Sequence, residues 1–345
     1  MREVLLTSIC RPKQWKTIST RDLKSEGYPV YGANGKIGFY NTYTHENPTI
    51  LITCRGATCG SINISESKSY VNGNAMALDN LSKDVDLFFL KHYLEYRKLD
   101  DVISGSAQPQ ITGQGLANIQ IPLPPLPTQQ KIASILDAAD TLRQKDKALL
   151  AKYDELTQAL FLDMFGDPVS NPKGFKTIIG KDIFVFSSGK FNPTKNLSPN
   201  FHYPTYGGNG ITGFANEFLI DYNTIVIGRV GAYCGSIHLT KGKICVTDNA
   251  IYIKKFIQEV ELTYAYYFFL GYGLNRFADY SGQPKITQKP LEKMRFIYPE
   301  LSLQNQFAER VAIIEKQKAK AQASLEKSEE LFNSLLQKAF KGELV

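Results

Sequence analysis

Basic and amide side chains in glycine-rich loops are the residues of this sequence whose chemistry is most informative. Arginine and asparagine pair bidentately with the edges of guanine and adenine, and lysine commonly meets a phosphate. Such residues precede each of two similar segments, flank two GAxCGS turns and follow them. The candidate DNA-binding residues are Lys13, Lys16, Arg55, Asn72, Asn74, Lys190, Lys195, Arg229 and Asn249. Each of them alone is equally compatible with a solvated surface group.

One motif resembles that of an enzyme, the GxGxxG of Gly208, Gly210 and Gly213. A dinucleotide fingerprint needs a strand before it and a helix after it. Here FANEFLIDYNTIVI follows and predicts another strand, so a glycine-rich hairpin turn fits better. The sequence has no Walker A, HExxH or GxSxG motif, and NPTK at 192–195 lacks the second proline and the aromatic residue of the amino-methyltransferase NPP(Y/F) loop. We therefore expect no catalytic residue and no cofactor in this chain.

Cysteine and histidine usage indicates neither a disulfide framework nor a metal site. The cysteines are odd in number, form no paired CxxC motif and lie away from ligand spacing to the four histidines. They are Cys10, Cys54, Cys59, Cys234 and Cys245. The first residues, MREVLLTSICRPK, contain too short an apolar run for a signal peptide, and no stretch reaches about 18 apolar residues. We expect a cytoplasmic protein with reduced thiols and no membrane partner.

Two copies of one unit follow each other along the chain. YPVYGANGKIGFYN begins at Tyr28 and YPTYGGNGITGFAN at Tyr203, an offset of 203 − 28 = 175 residues. At this offset, 22 of the 53 positions from 28 to 80 are identical, and QPQIT (108–112) aligns with QPKIT (283–287). The same offset continues through the residues that follow, so each copy is a globular lobe followed by a long helix.

Heptad patterns predict the two long helices. In 128–165 we assign the apolar seam to Ile135, Ala139, Leu142, Leu149, Tyr153, Leu156 and Leu160, with Asp146 as a polar interruption. In 303–343 we assign it to Phe307, Val311, Ile314, Ala321, Leu325, Phe332, Leu335 and Ala339, interrupted by Lys318 and Ser328. Two such helices in one chain can pair with each other.

Each lobe is predicted to be α+β. Short β-branched runs between glycine and asparagine turns predict strands, and the aromatic-rich segments 84–99 and 259–274 are long enough for core helices. PLPPLP (122–127) ends the first lobe. The expected architecture is a recognition lobe at 1–127, a helix at 128–165, a second lobe at 166–302 and a helix at 303–343, with the helices paired as an antiparallel coiled coil.

Charge supports a polyanionic partner for the lobes. The chain carries a formal charge of +7, whereas the two helices together balance, so the excess belongs to the remainder. A basic excess on globular lobes suits a phosphate backbone, although many basic proteins bind no nucleic acid.

The duplicated pattern resembles the specificity subunit of type I restriction-modification systems. The resemblance is carried by YPVYGANGKIGFY, GATCGSI, the QPxIT turn and IPLPPLPTQQKIASIL leading into a long helix, and it covers nearly the whole chain. PELSLQNQF departs from the proline-rich helix entry in the second copy. In that family each lobe is a target-recognition domain that reads half of a bipartite site in double-stranded DNA.

The resemblance also implies partners and their cofactors. Two modification (methyltransferase) subunits would dock on the helices and bring S-adenosylmethionine, and restriction subunits would add translocation and cleavage that use ATP and Mg²⁺. The chain itself would be non-catalytic. Independently, two copies joined by antiparallel helices imply a pseudo-twofold axis and two identical partner surfaces. Since the loops of the two copies differ, two different half-sites are expected.

Two other classes of protein stay open at this point. One is a duplicated nucleotide- or sugar-using enzyme, which would require the glycine turns to hold a ligand. The other is a coiled-coil adaptor without DNA affinity, which accounts for the helices but leaves the basic lobes unexplained.

Overall fold

The computed structural model describes residues 2–105 and 108–344. The chain divides into two compact units, a first unit of Met1–Lys147 with Ala323–Val345 and a second unit of Ala148–Gln322. Each unit therefore combines one globular lobe with parts of both long helices. We call these globular parts the first lobe and the second lobe.

The first lobe is mixed α and β. Its strands and helices, in chain order, are β1 (Arg2–Leu5), α1 (Leu6–Ile9), β2 (Arg11–Gln14), β3 (Tyr28–Gly32), β4 (Gly35–Tyr40), β5 (Ile50–Thr53), β6 (Ile62–Ile64), β7 (Tyr70–Val71), β8 (Ala75–Asp79), α2 (Leu87–Arg97), α3 (Gly113–Leu116) and β9 (Gln120–Leu123). They form a four-stranded sheet of order β2-β8-β5-β6, a three-stranded sheet β4-β3-β7 and the pair β1-β9.

The second lobe repeats this arrangement after α4 (Leu126–Phe165). Its elements are β10 (Thr177–Ile179), β11 (Phe184–Ser188), β12 (Tyr203–Gly207), β13 (Gly210–Ala215), β14 (Ile225–Gly228), β15 (Ile237–Leu239), β16 (Cys245–Val246), β17 (Ala250–Phe256), α5 (Leu262–Tyr272), α6 (Gln288–Lys293) and β18 (Arg295–Ile297), followed by α7 (Leu301–Lys341). The sheets are β11-β17-β14-β15, β13-β12-β16 and β10-β18. The predicted repeat and the α+β lobes are thus confirmed.

The glycine-rich segments form hairpins. Tyr206 and Gly207 of β12 pair with Ile211 and Gly210 of β13, with a bulge in the ladder, and β3 and β4 form the equivalent hairpin. A strand therefore follows the GxGxxG segment, where a dinucleotide site would need a helix. The hairpin interpretation of these glycines is confirmed.

The aromatic-rich segments form the core helices α2 and α5. In the second lobe Phe268 and Phe269 of α5 are fully buried, and Phe296 of β18 packs against both. The helix starts at the cap residue Glu261, whose carboxylate accepts the amide proton of Tyr264. Burial raises the pKa of the Tyr264 phenol, which donates to the Ile297 carbonyl at 2.8 Å.

The two long helices pack against each other within each unit. In the first unit Asp146 of α4 accepts a hydrogen bond from Ser324 of α7 at 3.3 Å. In the second unit Asp154 forms an ion pair with Lys318. In the first unit the contact on α7 moves backward from Phe332, which lies over Arg143, to Ser324 as α4 advances to Asp146. In the second unit it moves backward from Lys318 to Phe307 as α4 advances from Asp154 to Phe161. The predicted antiparallel pairing is therefore confirmed. Among the described residues, none of the helices has both the length and the apolar character that crossing a membrane requires.

Both helices begin two residues earlier than predicted, at Leu126 and Leu301. The proline-rich entry is compatible with this start because the first turn of a helix has no use for the amide proton that Pro127 lacks. The amides of Thr128 and Gln129 both donate to the Pro125 carbonyl, at 2.9 and 3.1 Å.

The predicted seam of α7 is correct, whereas that of α4 is wrong in one of its two heptad positions. Ala139 and Asp146 are buried as predicted, and Tyr153 and Leu160 are half-buried. The predicted alternate positions Leu142, Leu149 and Leu156 are 46%, 41% and 49% exposed. The buried or half-buried residues lie one position later, and they are Leu136, Arg143, Leu150 and Thr157. A shift of one residue turns a side chain by about 100° around the helix.

Candidate nucleic-acid interface

In the first lobe, three strands of the four-stranded sheet have a terminus at the same end of the sheet. There β2 and β5 end and β8 begins. Register places Gln14 of β2 opposite Met76 of β8, and Thr53 of β5 opposite Ala75 of β8. The Cys54 amide donates to the Asn74 carbonyl at 3.2 Å, and the Gln14 side chain reaches the Gly73 carbonyl at the same distance. We call this end of the sheet, with the loops attached to it, the first sheet end.

The first sheet end brings together several candidates that are far apart in the sequence. Lys16, Arg55 and Asn74 are all exposed there. The QPQIT turn is also attached to the first sheet end, because the amide of Gly56, the residue after Arg55, donates to the Pro109 carbonyl at 3.2 Å. The backbone of this turn therefore holds the Arg55 loop in place.

The second lobe has the same construction at its own edge, the second sheet end. The Arg229 amide donates to the Asn249 carbonyl at 2.9 Å, which is the counterpart of the pair formed by Cys54 and Asn74. The Lys190 amide donates to the Val246 carbonyl at 2.9 Å. Lys190 and Asn249 are exposed. The QPKIT turn is attached by the Gly231 amide, which donates to the Pro284 carbonyl at 2.9 Å.

Asn72 has a structural position. Its side chain is 4% exposed, and its amide group donates to the Ile18 carbonyl at 3.1 Å. Its carboxamide oxygen accepts the amide protons of Ile18 and Gly73 at 3.0 and 2.9 Å. Since this side chain is buried and both its oxygen and its nitrogen are hydrogen-bonded within the lobe, it closes the loop from β2 and does not face a base edge. Asn72 is therefore not among the exposed residues of the first sheet end.

Arg229 is only partly available. It is half-buried, and its Nη1 donates to the Asp248 carbonyl at 3.3 Å, while its Nε is buried without a hydrogen-bond partner. Its equivalent at the 175-residue offset is the buried Cys54, whereas the exposed Arg55 lies one residue further on. The two arginines therefore occupy different positions on the same turn, and Arg229 is held more firmly by the lobe.

The remaining lysines differ in their surroundings. Lys13 is exposed in the middle of β2, and its ammonium group lies 3.6 Å from the centre of the Trp15 ring. Lys195 is exposed in the 3₁₀ turn Thr194–Asn196, on the loop that leaves Lys190. Lys13 lies within the strand ladder, one residue before the end of β2, whereas the other lysines lie on loops at or next to the strand ends.

Gln110 and Lys285 are equivalent candidates that the residue types did not single out. Gln110 forms an isolated bridge with Arg55, and Lys285 forms one with Val230. Both side chains are exposed. The sequence repeat could have identified both residues, because they occupy the one position at which the two QPxIT turns differ.

The cysteines of the two turns are packing residues. Burial raises the pKa of the Cys59 and Cys234 thiols, so both are neutral at physiological pH. The Cys234 thiol donates to the Arg229 carbonyl at 3.2 Å. Within residues 2–105 and 108–344, no group of three or more His, Cys, Asp or Glu side chains is arranged to hold a metal ion.

The second unit also has a groove of ≈ 1080 Å³ between the β12–β13 hairpin, β15, α5 and the long helices. Its lining includes Tyr206, His238, Tyr266 and Tyr267. Burial lowers the pKa of His238 and raises that of Tyr267 to about 12, so both rings are neutral at physiological pH.

Polar side chains occupy the equivalent positions of the first unit. His92, the counterpart of Tyr267, is 1% exposed and lies 2.7 Å from Asp137. Although burial opposes it, the hydrogen bond with His92 and the charge of Lys91 lower the pKa of Glu95. The Arg143 guanidinium lies 4.4 Å from the centre of the Phe332 ring. The groove is therefore a feature of one copy, whereas the sheet ends belong to both.

Comparison with known proteins identifies the duplicated lobe. The family model described as "Type I restriction modification DNA specificity domain" matches residues 1–152 and 172–327. The type I restriction enzyme EcoprrI specificity subunit of Escherichia coli is 30% identical over 117 residues, which are 34% of this chain and 28% of that protein. A putative type I specificity subunit of Mycoplasma pneumoniae is 25% identical over 250 residues, 67% of this chain and 68% of that protein.

A solved structure shares the fold over almost its full length. The crystal structure of the type I restriction-modification S subunit from M. genitalium aligns with a TM-score of 0.69 at 18% identity, covering 98% of this chain and 95% of that chain. A chain from a structure of type I assembly and conformational transition aligns with a TM-score of 0.55 at 16% identity, with 99% and 98% coverage. By the match of the family model over both repeats, this chain belongs to the family of type I restriction-modification DNA specificity domains.

Proposed function

We propose that this chain is the DNA-recognition subunit of a type I restriction-modification complex, in which each lobe reads one half of a bipartite, asymmetric site. The observation that carries the proposal is the pair of equivalent sheet ends. Each presents exposed arginine, lysine or asparagine side chains on loops that backbone hydrogen bonds hold in place. These side chains match base edges and phosphates.

The two copies present different side chains on the same frame. Position 55 is arginine where the second copy has Val230, and Gln110 is replaced by Lys285. The exposed Asn74 and Asn249 are shared by both copies. Different side chains on a common frame support different half-sites.

Partners and chemistry follow from the same assignment. We propose that two methyltransferase subunits bind this chain and supply S-adenosylmethionine, and that restriction subunits with ATP and Mg²⁺ can join them. The exposed positions of α4 and α7 support two like docking surfaces, since the exposed Leu156 corresponds to the exposed Leu331, and the exposed Glu155 to the exposed Glu330, at the 175-residue offset. The chain itself would then be non-catalytic and would act in the cytoplasm beside the chromosome.

Selection from a pool of random duplex DNA tests this function. The full chain, alone and with a co-expressed type I modification subunit, should enrich two short motifs separated by a spacer of fixed length. Arg55→Ala should relax the preference at one motif only, by about 1 to 3 kcal/mol per lost base contact. Lys190→Ala should weaken binding to all sequences alike and reduce its salt dependence. Failure to enrich any sequence under both conditions would contradict the proposal and favour an adaptor without DNA affinity.

We further propose that the helices set the spacer between the two half-sites. Four residues inserted into α4 after Lys147 and four into α7 after Gln322 add about 6 Å and turn the helix by only about 40° beyond one full turn. At 3.4 Å per base pair, the selected spacer should lengthen by about one or two pairs. Both half-sites should keep their sequences. An unchanged spacer would contradict the spacer role, and altered half-sites would mean that the helices themselves contact bases.

A further inference from the structure

Three aromatic side chains of the second lobe are unusually open to solvent. Phe191, Tyr280 and Tyr233 are 77%, 66% and 57% exposed, more than any other aromatic residue that the structure describes. None of the three makes a ring contact or a side-chain hydrogen bond within residues 2–105 and 108–344. By contrast, the exposed Phe218 packs edge-on against Tyr203 at 5.3 Å. Exposed rings without partners leave apolar area available for a ligand.

All three lie on loops of the second sheet end. Tyr233 lies in the turn between β14 and β15, and Tyr280 lies in the loop that Asp279 and Lys285 close with two backbone hydrogen bonds of 2.9 and 3.1 Å. The hydrogen bond from Gly231 to Pro284 joins these two loops. Phe191 directly follows Lys190. The rings are therefore attached to the same edge as the candidate DNA-binding residues.

The first lobe lacks these aromatic residues. At the 175-residue offset Tyr233 corresponds to Thr58, whose hydroxyl donates to Asn34 at 2.6 Å, and Tyr280 corresponds to Gly105. Strand register aligns Gln14 with Ser188, which places Thr17 at the position of Phe191. The aromatic set is thus specific to the second copy.

The surroundings favour nucleic acid as the occupant. The exposed Lys190 directly precedes Phe191, and the exposed Lys285 closes the loop that carries Tyr280. The half-buried Arg229 lies in the same turn as Tyr233. Cationic groups attract phosphates, while aromatic rings stack on bases or enter between them.

We propose that Tyr233 and Tyr280, supported by Phe191, insert at a base step of the half-site read by the second lobe and unstack it, whereas the first lobe reads its half-site without unstacking. This inference rests on the proposed function of the chain. It makes the two lobes unequal, since one reads partly through deformation of the DNA.

The test uses the full chain and the duplex selected as above, with 2-aminopurine placed at each position in turn. Binding should raise 2-aminopurine fluorescence at one step in one half-site only, and thymines at that step should become reactive to permanganate. Tyr233→Ala and Tyr280→Ala should each abolish both signals and weaken binding about 5- to 150-fold. Tyr233→Phe should keep both signals because it keeps the ring.

Ile313→Ala is the matched control, because Ile313 is 63% exposed on α7, outside the sheet end. It should leave affinity and fluorescence unchanged. If the wild-type chain selects DNA but no step is unstacked, and both alanine variants bind like the wild type, the inference is overturned and the proposed function stands. If the wild-type chain binds no duplex with or without the modification subunit, the proposed function falls as well.

Discussion

Gln129 of α4 and Gln304 of α7 are both fully buried and share two equivalent hydrogen bonds in their own units. The Gln129 carboxamide oxygen accepts the Asp86 amide proton at 2.9 Å, and its nitrogen donates to the Pro124 carbonyl at 2.8 Å. Gln304 bonds to Glu261 and Pro299 at 3.0 and 2.8 Å. Each glutamine therefore fastens the start of a core helix to the start of a long helix.

We expect Gln129→Ala to reduce the free energy of unfolding of the first unit by about 1 to 3 kcal/mol, because buried backbone groups lose their partners. Gln130→Ala is the control, since Gln130 is exposed on the next position of α4. Urea unfolding followed by circular dichroism measures both. Equal midpoints for the two variants would contradict the role of Gln129.

The corrected seam of α4 predicts which leucines stabilise the helix pair. Leu136 is fully buried in a cluster with Phe332, so Leu136→Ala should cost about 2 to 5 kcal/mol. Leu142→Ala should change stability by no more than about 0.5 kcal/mol, since Leu142 is exposed. Thermal melts of the two variants compare these costs. A larger loss for Leu142→Ala would restore the seam first predicted from the sequence.

Asn74 and Asn249 offer a matched pair for half-site readout. Each is exposed, and its backbone carbonyl accepts the amide proton of the residue directly after β5 or β14. Asn74→Ala should relax base preference at one half-site and Asn249→Ala at the other, by about 1 to 3 kcal/mol each. Sequencing of selected duplexes measures both preferences. If both variants relax the same half-site, the lobes do not read separate halves.

Acid should weaken the second unit through His238. Burial lowers the pKa of its imidazole below the ordinary 6.5, so the unfolded chain takes up this proton at a higher pH than the folded chain. The free energy of unfolding therefore falls as pH drops from about 6.5 toward the folded pKa. His238→Asn installs the residue of the first copy, Asn63. As the pH is lowered from about 7 to about 5, the melting temperature of the variant should rise relative to that of the wild type. A difference in melting temperature that stays constant over this range would contradict the effect.

The fold was largely predictable because the sequence pattern of the lobe and its helix occurs twice in the chain. Short hydrophobic runs, hairpin glycines and the aromatic segments each occur at the same offset, and local patterns that agree in two copies specify one lobe. The α4 seam was missed because leucines at positions such as Leu142 look more apolar than Arg143 or Thr157. Projecting the correct α7 seam back by 175 residues turns Lys318 into Arg143 and Phe332 into Thr157, and this recovers the observed seam.

The candidate site was predictable in location but only partly in its members. Residue type alone included Asn72, because nothing in the sequence distinguishes an asparagine that closes a loop from one that faces solvent. That distinction depends on Ile18, a residue 54 positions away that accepts and donates to the same side chain. Exposure of Tyr233 and Tyr280 likewise depends on tertiary packing, since most other tyrosines of this chain are half-buried.

The loops at both sheet ends are held mainly by their backbones, through pairs such as Arg229 with Asn249 and Gly231 with Pro284. Hydrogen bonds between main-chain atoms do not depend on which side chains the loops carry. Substitutions at exposed positions such as Lys285 therefore change what the edge touches at little cost in folding. A population of such proteins can drift toward new DNA targets one half at a time, while the lobe and its helix stay the same.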